Sequence, residues 1–115
     1  KSMEFLTILK IIAALATVAT GLLALFKPTA VYGFTGLKAE GARGVSEIRS
    51  IFGGLFIALG VVPLFLGEVA YLILGFSYLG IAAARTLSII IDKSYDRSNL
   101  ISLGIEIVLG IILVV

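Results

Sequence analysis

Besides Lys10, four charged residues stand inside otherwise apolar stretches: Glu47 and Arg49, two positions apart, then Arg85, then Glu106. Side chains of this kind can do three things. They can neutralise one another as a buried ion network, they can offer guanidinium groups to an anionic ligand, or a carboxylate among them can carry a coupling proton or ion. An isolated charge at the centre of a membrane helix costs about 2.5–3.5 kcal/mol even on the lenient insertion scale, so such residues usually turn inward and pair. Other chemistry is thin. The chain has no His and no Cys, which removes thiol chemistry, His-based metal sites and the usual general base. No nucleophile–base pair, phosphate loop or metal-ligand cluster is legible, so the expected class is non-enzymatic, without metal or cofactor.

The elements that must position these charges are written in the composition. Of 115 residues, 60% are hydrophobic and 14% charged, with mean hydropathy +1.19. A soluble domain carries about 25% charged residues, so the expected solvent is lipid. The basic residues are scattered and the net charge is only +2, which argues against nucleic acid as a partner. A helical span needs about 20 mostly apolar residues, and four stretches qualify: about 5–26, 46–66, 69–91 and 99–115. None alternates with the period of two that a barrel strand requires. The expectation is one all-α domain over residues 1–115, a four-transmembrane-helix bundle with antiparallel up-down topology. The first stretch is too long for a cleavable signal. Lys1-Ser2 before Met3 reads as a tag remnant, and the abrupt apolar end at Val115 suggests that the chain continues.

The connections also carry information. Gly67-Glu68 leaves almost no loop between the second and third spans, and "DKSYDRSN" joins the third and fourth. The first loop is longer, and Tyr32 and Phe34 sit in it among glycines. They read as an aromatic anchor at the headgroups, with a lid over the bundle mouth as the sharper alternative. Lys27, Lys38, Arg43, Lys93 and Arg97 fall in loops one and three, against Lys1 and Lys10 on the other side. By the positive-inside rule, loops 27–45 and 92–98 face the cytoplasm and the termini lie opposite.

Depth then brings the charges together. At about 1.5 Å per residue, Arg85 and Glu106 each lie roughly 9–10 Å from the same side, and Glu47 and Arg49 begin the second span there. The small residues sit on the same helical stripes: Arg49, Gly53, Ile57 and Gly60; Tyr78, Ala82, Arg85, Ser88 and Asp92; Asn99, Ser102, Glu106 and Gly110. Small residues let membrane helices approach closely, and Gly53, Gly54, Gly60, Gly80 and Gly110 are the candidate packing positions. The reading is that the second, third and fourth spans meet along these stripes, with Arg85–Glu106 as the central pair and Arg49 held by Glu106 or Asp92. Ser46 is a candidate N-cap, and Glu47 a first-turn partner of the helix dipole. Pro63 is expected to bend the second span.

The run E-x-R-x3-GG at Glu47, Arg49, Gly53 and Gly54, with Arg85, Asp92 and Glu106 further on and Pro28 after the first span, resembles the domain of unknown function 4345 family of small four-helix membrane proteins. The resemblance covers nearly the whole chain and implies a four-helix integral membrane fold, with no established reaction. Asp92-Lys93 departs from the Asp-Gly of that pattern. Three function classes remain. The favoured one is a structural or accessory subunit of a membrane assembly, with the lipid bilayer and other membrane subunits as partners. The alternative is a bundle that binds a lipid-like or small hydrophobic or anionic ligand at Glu47, Arg49, Arg85, Glu106, Asp92 and Tyr78. A small transporter ranks third, because Arg85 should keep Glu106 ionised.

Overall fold

The computed structural model describes residues 2–115, with side chains from Glu4 onward, and every regular element among them is helical. Lys1, one of the basic residues assigned to the second side, lies outside the described residues. Helix α1 (Ser2–Phe26) stops where Lys27 leaves the helical region ahead of Pro28, since proline disfavours that region for its predecessor. A 3-10 turn (Pro28–Ala30) leads into a short helix α2 (Val31–Thr35), closed by Gly36 at φ +74°. Then come α3 (Gly41–Leu66), α4 (Glu68–Asp92) and α5 (Arg97–Val114). Four helices, α1, α3, α4 and α5, are long and apolar enough to cross a membrane.

Helix α3 begins earlier than the sequence predicts. Glu40 is the extended N-cap residue and Gly41 opens the helix at φ +67°. Ser46 is therefore not the cap, and Glu47 lies nearly two turns in rather than in the first turn. The physical reason is tertiary. Ile48 is buried with Ala24 and Val31, which holds α3 in place at this point, and the added turns carry the i,i+4 pair Arg43–Glu47. Residues Ile48–Leu55 form a π-helical segment, whose i→i+5 bonding turns the chain less per residue than an α-helix. Pro63 lies buried inside the last stretch of α3, and Gly67 then reverses the chain at φ +78°, ψ −138°, a conformation that favours glycine.

The close helix pairs are α1 with α3 and α4 with α5; α3 and α4 are joined more loosely by their hairpin. This corrects the expected meeting of the second, third and fourth spans. Gly53, Ile57 and Gly60 face α1: a Cβ on Gly60 would lie 2.7 Å from the Ala14 carbonyl oxygen, and one on Gly21 would lie 2.8 Å from that of Gly53. The small-residue run of α1, from Ala13 to Ala24, makes it the complementary surface. On the other pair, a Cβ on Gly75 would lie 2.7 Å from Leu113 and one on Gly110 2.5 Å from Leu79. Ala13, Ala14, Tyr71, Leu74 and Leu113 form the central core, with Leu59 packed against it, so all four long helices contribute. The Cα extents are 47 × 31 × 18 Å, longer than the roughly 30 Å hydrocarbon core of a bilayer.

A polar network between α4 and α5 as the candidate functional site

Arg85 and Glu106 meet as the spacing predicts. The guanidinium Nε donates to Glu106 Oε1 at 2.8 Å and Nη2 to Oε2 at 2.6 Å. This fork-on-fork geometry is the strongest form of a charge-assisted pair. Nη1 donates to Asn99 Oδ1 at 2.7 Å, while Asn99 Nδ2 donates to the Ser94 carbonyl at 3.0 Å and to Ser94 Oγ at 3.1 Å. The network thus ties α4 through α5 to the turn between them. Glu106 is 8% exposed. Each of its oxygens accepts one bond from the guanidinium.

The other predicted residues do not join it. Arg49 is exposed and makes no ion pair or side-chain hydrogen bond among the described residues, so neither Glu106 nor Asp92 holds it. The π-helical turns account for the change: Ile48, five residues before Gly53, takes the buried place that an α-helix would give to Arg49. Asp92 instead accepts from Ser88 Oγ at 2.7 Å within α4. Glu47 pairs with Arg43 Nε at 3.0 Å along the exposed face of α3, which is an i,i+4 pair of small energetic weight. Tyr78 points to α1, where its hydroxyl bonds Thr17 Oγ1. Thr17 is 1% exposed and donates to the Ala13 carbonyl at 2.8 Å, so the phenol must be the donor in its bond to Thr17.

Among the glycines, Gly53, Gly60 and Gly110 sit at close approaches, whereas Gly54 and Gly80 do not. A Cβ on Gly54 would meet only the Arg49 carbonyl at 4.0 Å, and one on Gly80 would meet nothing within 4 Å. Sequence reasoning missed Gly21 and Gly75 as packing positions. Both were within reach of the stripe argument, because Gly75 lies three residues before Tyr78 and Gly21 seven after Ala14. Asn99 was placed on the Glu106 stripe, but its bond to Arg85 needed the geometry of the turn.

Among the described residues, no buried side-chain nitrogen or oxygen lacks a partner. An apolar cleft of about 160 Å³ opens between α3 and α4, lined by Leu55, Leu59, Val62, Ala70 and Ile73 among others. Neither Arg49 nor Arg85 lines it. The arrangement can therefore lock α4 to α5 and offer apolar surface between α3 and α4. No curated protein and no solved structure matches the chain. A family model described as a domain of unknown function (DUF4345) matches residues 5–115, and the chain belongs to that family.

Proposed function

We propose that this chain is a multi-pass integral membrane protein without enzymatic activity that serves as a structural or accessory subunit of a membrane assembly. Its four long helices form an antiparallel up-down bundle, supported by the pairing of Gly60 with Ala14 and of Gly53 with Leu25 in opposite order along the two helices. Loops 27–45 and 92–98 face the cytoplasm and the termini lie opposite. The observation that carries the reading is the division of labour among side chains. The deep ionic groups are closed on one another, while large apolar side chains such as Phe65 (81% exposed) and Phe76 (62% exposed) point outward. Outward apolar faces suit either lipid or a partner helix, and small exposed residues such as Gly54 and Gly80 allow a helix to come close.

The ligand-binding alternative loses one of its two guanidinium receptors, because three nitrogens of Arg85 are already committed, and no charge lines the apolar cleft. The transporter reading weakens on geometry: Glu106, the deep carboxylate, is bonded through both oxygens to Arg85 and does not line the apolar cleft. Native mass spectrometry of the protein, extracted gently from its own membrane, tests the favoured role. A mass well above 12.1 kDa with foreign subunits supports it. A lone chain, or one carrying only a small molecule, overturns it.

A further inference from the structure

The first loop is a built element. Val31 is 1% exposed against Ala24 and Ile48, and Pro28 is buried beside it. Thr35 Oγ1 donates to the Val31 carbonyl at 2.7 Å and accepts from the Leu37 amide at 3.0 Å. Gly36 N–H closes the turn on the Tyr32 carbonyl at 2.9 Å. With Val31 pinned inward, the segment turns Tyr32 (58% exposed), Phe34 (41%) and Leu37 (43%) outward. Nothing else in the described chain covers them.

Charge is distributed to match. At this end of the molecule stand six cations, Lys27, Lys38, Arg43, Arg49, Lys93 and Arg97, against four carboxylates, Glu40, Glu47, Asp92 and Asp96. Glu47 is spent on Arg43, whereas Lys27, Lys38 and Arg49 have no carboxylate within ion-pair distance among the described residues. At the other end, Glu4 and Glu68 outnumber Lys10 among the described residues. A wedge of aromatic and aliphatic side chains flanked by unpaired cations matches a bilayer interface, where rings lie at headgroup level and cations meet lipid phosphates.

We infer that residues 31–38 lie in the headgroup layer as an interfacial anchor that binds an anionic leaflet, with Tyr32, Phe34 and Leu37 as the inserted wedge and Lys27, Lys38 and Arg49 as its phosphate contacts. The inference rests on the membrane placement proposed above and adds the lipid class that this end recognises. It gives the positive end of the chain a physical means of holding its side of the membrane. Arg49, left out of the buried network, acts here as a headgroup contact.

The chain has no Trp, so a single introduced Trp reports its own surroundings. Phe34→Trp and, separately, Phe76→Trp are placed in the full chain and reconstituted in vesicles of phosphatidylcholine alone or of phosphatidylcholine with an equal part of phosphatidylglycerol. Quenching by lipids brominated on the acyl chain and by aqueous iodide is then measured. The expected result is strong bromine quenching of Phe76→Trp in both vesicles. Phe34→Trp should give bluer emission and lower iodide access in the anionic vesicles, and adding Lys27→Gln and Lys38→Gln should abolish that difference. An iodide-accessible Phe34→Trp in both vesicles, beside a quenched Phe76→Trp, overturns the anchor alone. A lipid-buried Phe34→Trp that ignores lipid charge and the lysine substitutions overturns the anionic selectivity. A Phe76→Trp that bromine does not reach overturns the membrane placement itself.

Discussion

At the scale of the residue, the Arg85–Glu106 pair is the structure's principal polar commitment. Removing one partner leaves the other charge without compensation, which costs about 3–5 kcal/mol for a fully buried pair. Because the Arg85 side chain keeps 30% exposure against 11% for Glu106, we expect Arg85→Ala to fall at the low end of that range. It should lower the thermal midpoint in detergent well below that of Lys93→Ala. The double variant Arg85→Met, Glu106→Leu should be closer to the parent than either single loss, since no orphaned charge remains. Equal midpoints for Arg85→Ala and Lys93→Ala would sink the network. Lys93 supplies a second prediction. It is the one non-glycine residue with positive φ (54°) among those described, and it caps α4. A left-handed conformation costs an L-residue about 1–2 kcal/mol. Lys93→Gly should relieve part of this and raise the midpoint, by less than that full amount because glycine also loses more freedom on folding. The family resemblance suggests Asp-Gly at this turn, and the backbone explains why glycine suits it.

At the scale of the element, helix pairing rests on where a Cβ can be tolerated. Gly60→Ala would push a methyl to 2.7 Å from the Ala14 backbone oxygen, so α1 must move away. An overpacking cost of about 1–3 kcal/mol follows. Gly54→Ala meets only its own helix at 4.0 Å and should be neutral, or stabilising by up to about 1 kcal/mol through helix propensity. Thermal unfolding of the two variants checks the assignment. A tolerated Gly60→Ala with a damaging Gly54→Ala would mean that the α1–α3 contact uses the other face. Gly60 was legible as a packing residue from its small neighbours at helical spacing. Its partner was not, because α1 carries small residues too and spacing within one helix says nothing about which helix lies opposite. The π-helical stretch from Ile48 to Leu55 was equally invisible. It changes the azimuth of every residue before it relative to those after it, and Arg49 lost its predicted inward place for that reason.

At the scale of the whole molecule, the four long helices and the proposed up-down order make a topological prediction. The chain contains no Cys, so Tyr95→Cys and Glu68→Cys each provide a single thiol. Glu68 opens α4 and Tyr95 lies in the turn that follows it, so the two positions bracket that helix. In sealed vesicles of one orientation, a membrane-impermeant maleimide should label one of them from outside and the other only after permeabilisation. Labelling of both from the same face would rule out a crossing by α4.

What the sequence determined by itself is whatever membrane physics decides residue by residue. The number and approximate extent of the long helices follow from runs of apolar side chains. The meeting of Arg85 with Glu106 follows from their matching depth and opposite sign, because a lone charge there is too costly to leave unpaired. What only the tertiary structure decided is which faces meet. Small residues occur on α1, α3, α4 and α5 alike, and close packing depends on the complementary shape of two surfaces, which no single helix encodes. That choice put Gly53 and Gly60 against α1 and sent Tyr78 to Thr17, while the π-helical turn of α3 left Arg49 exposed.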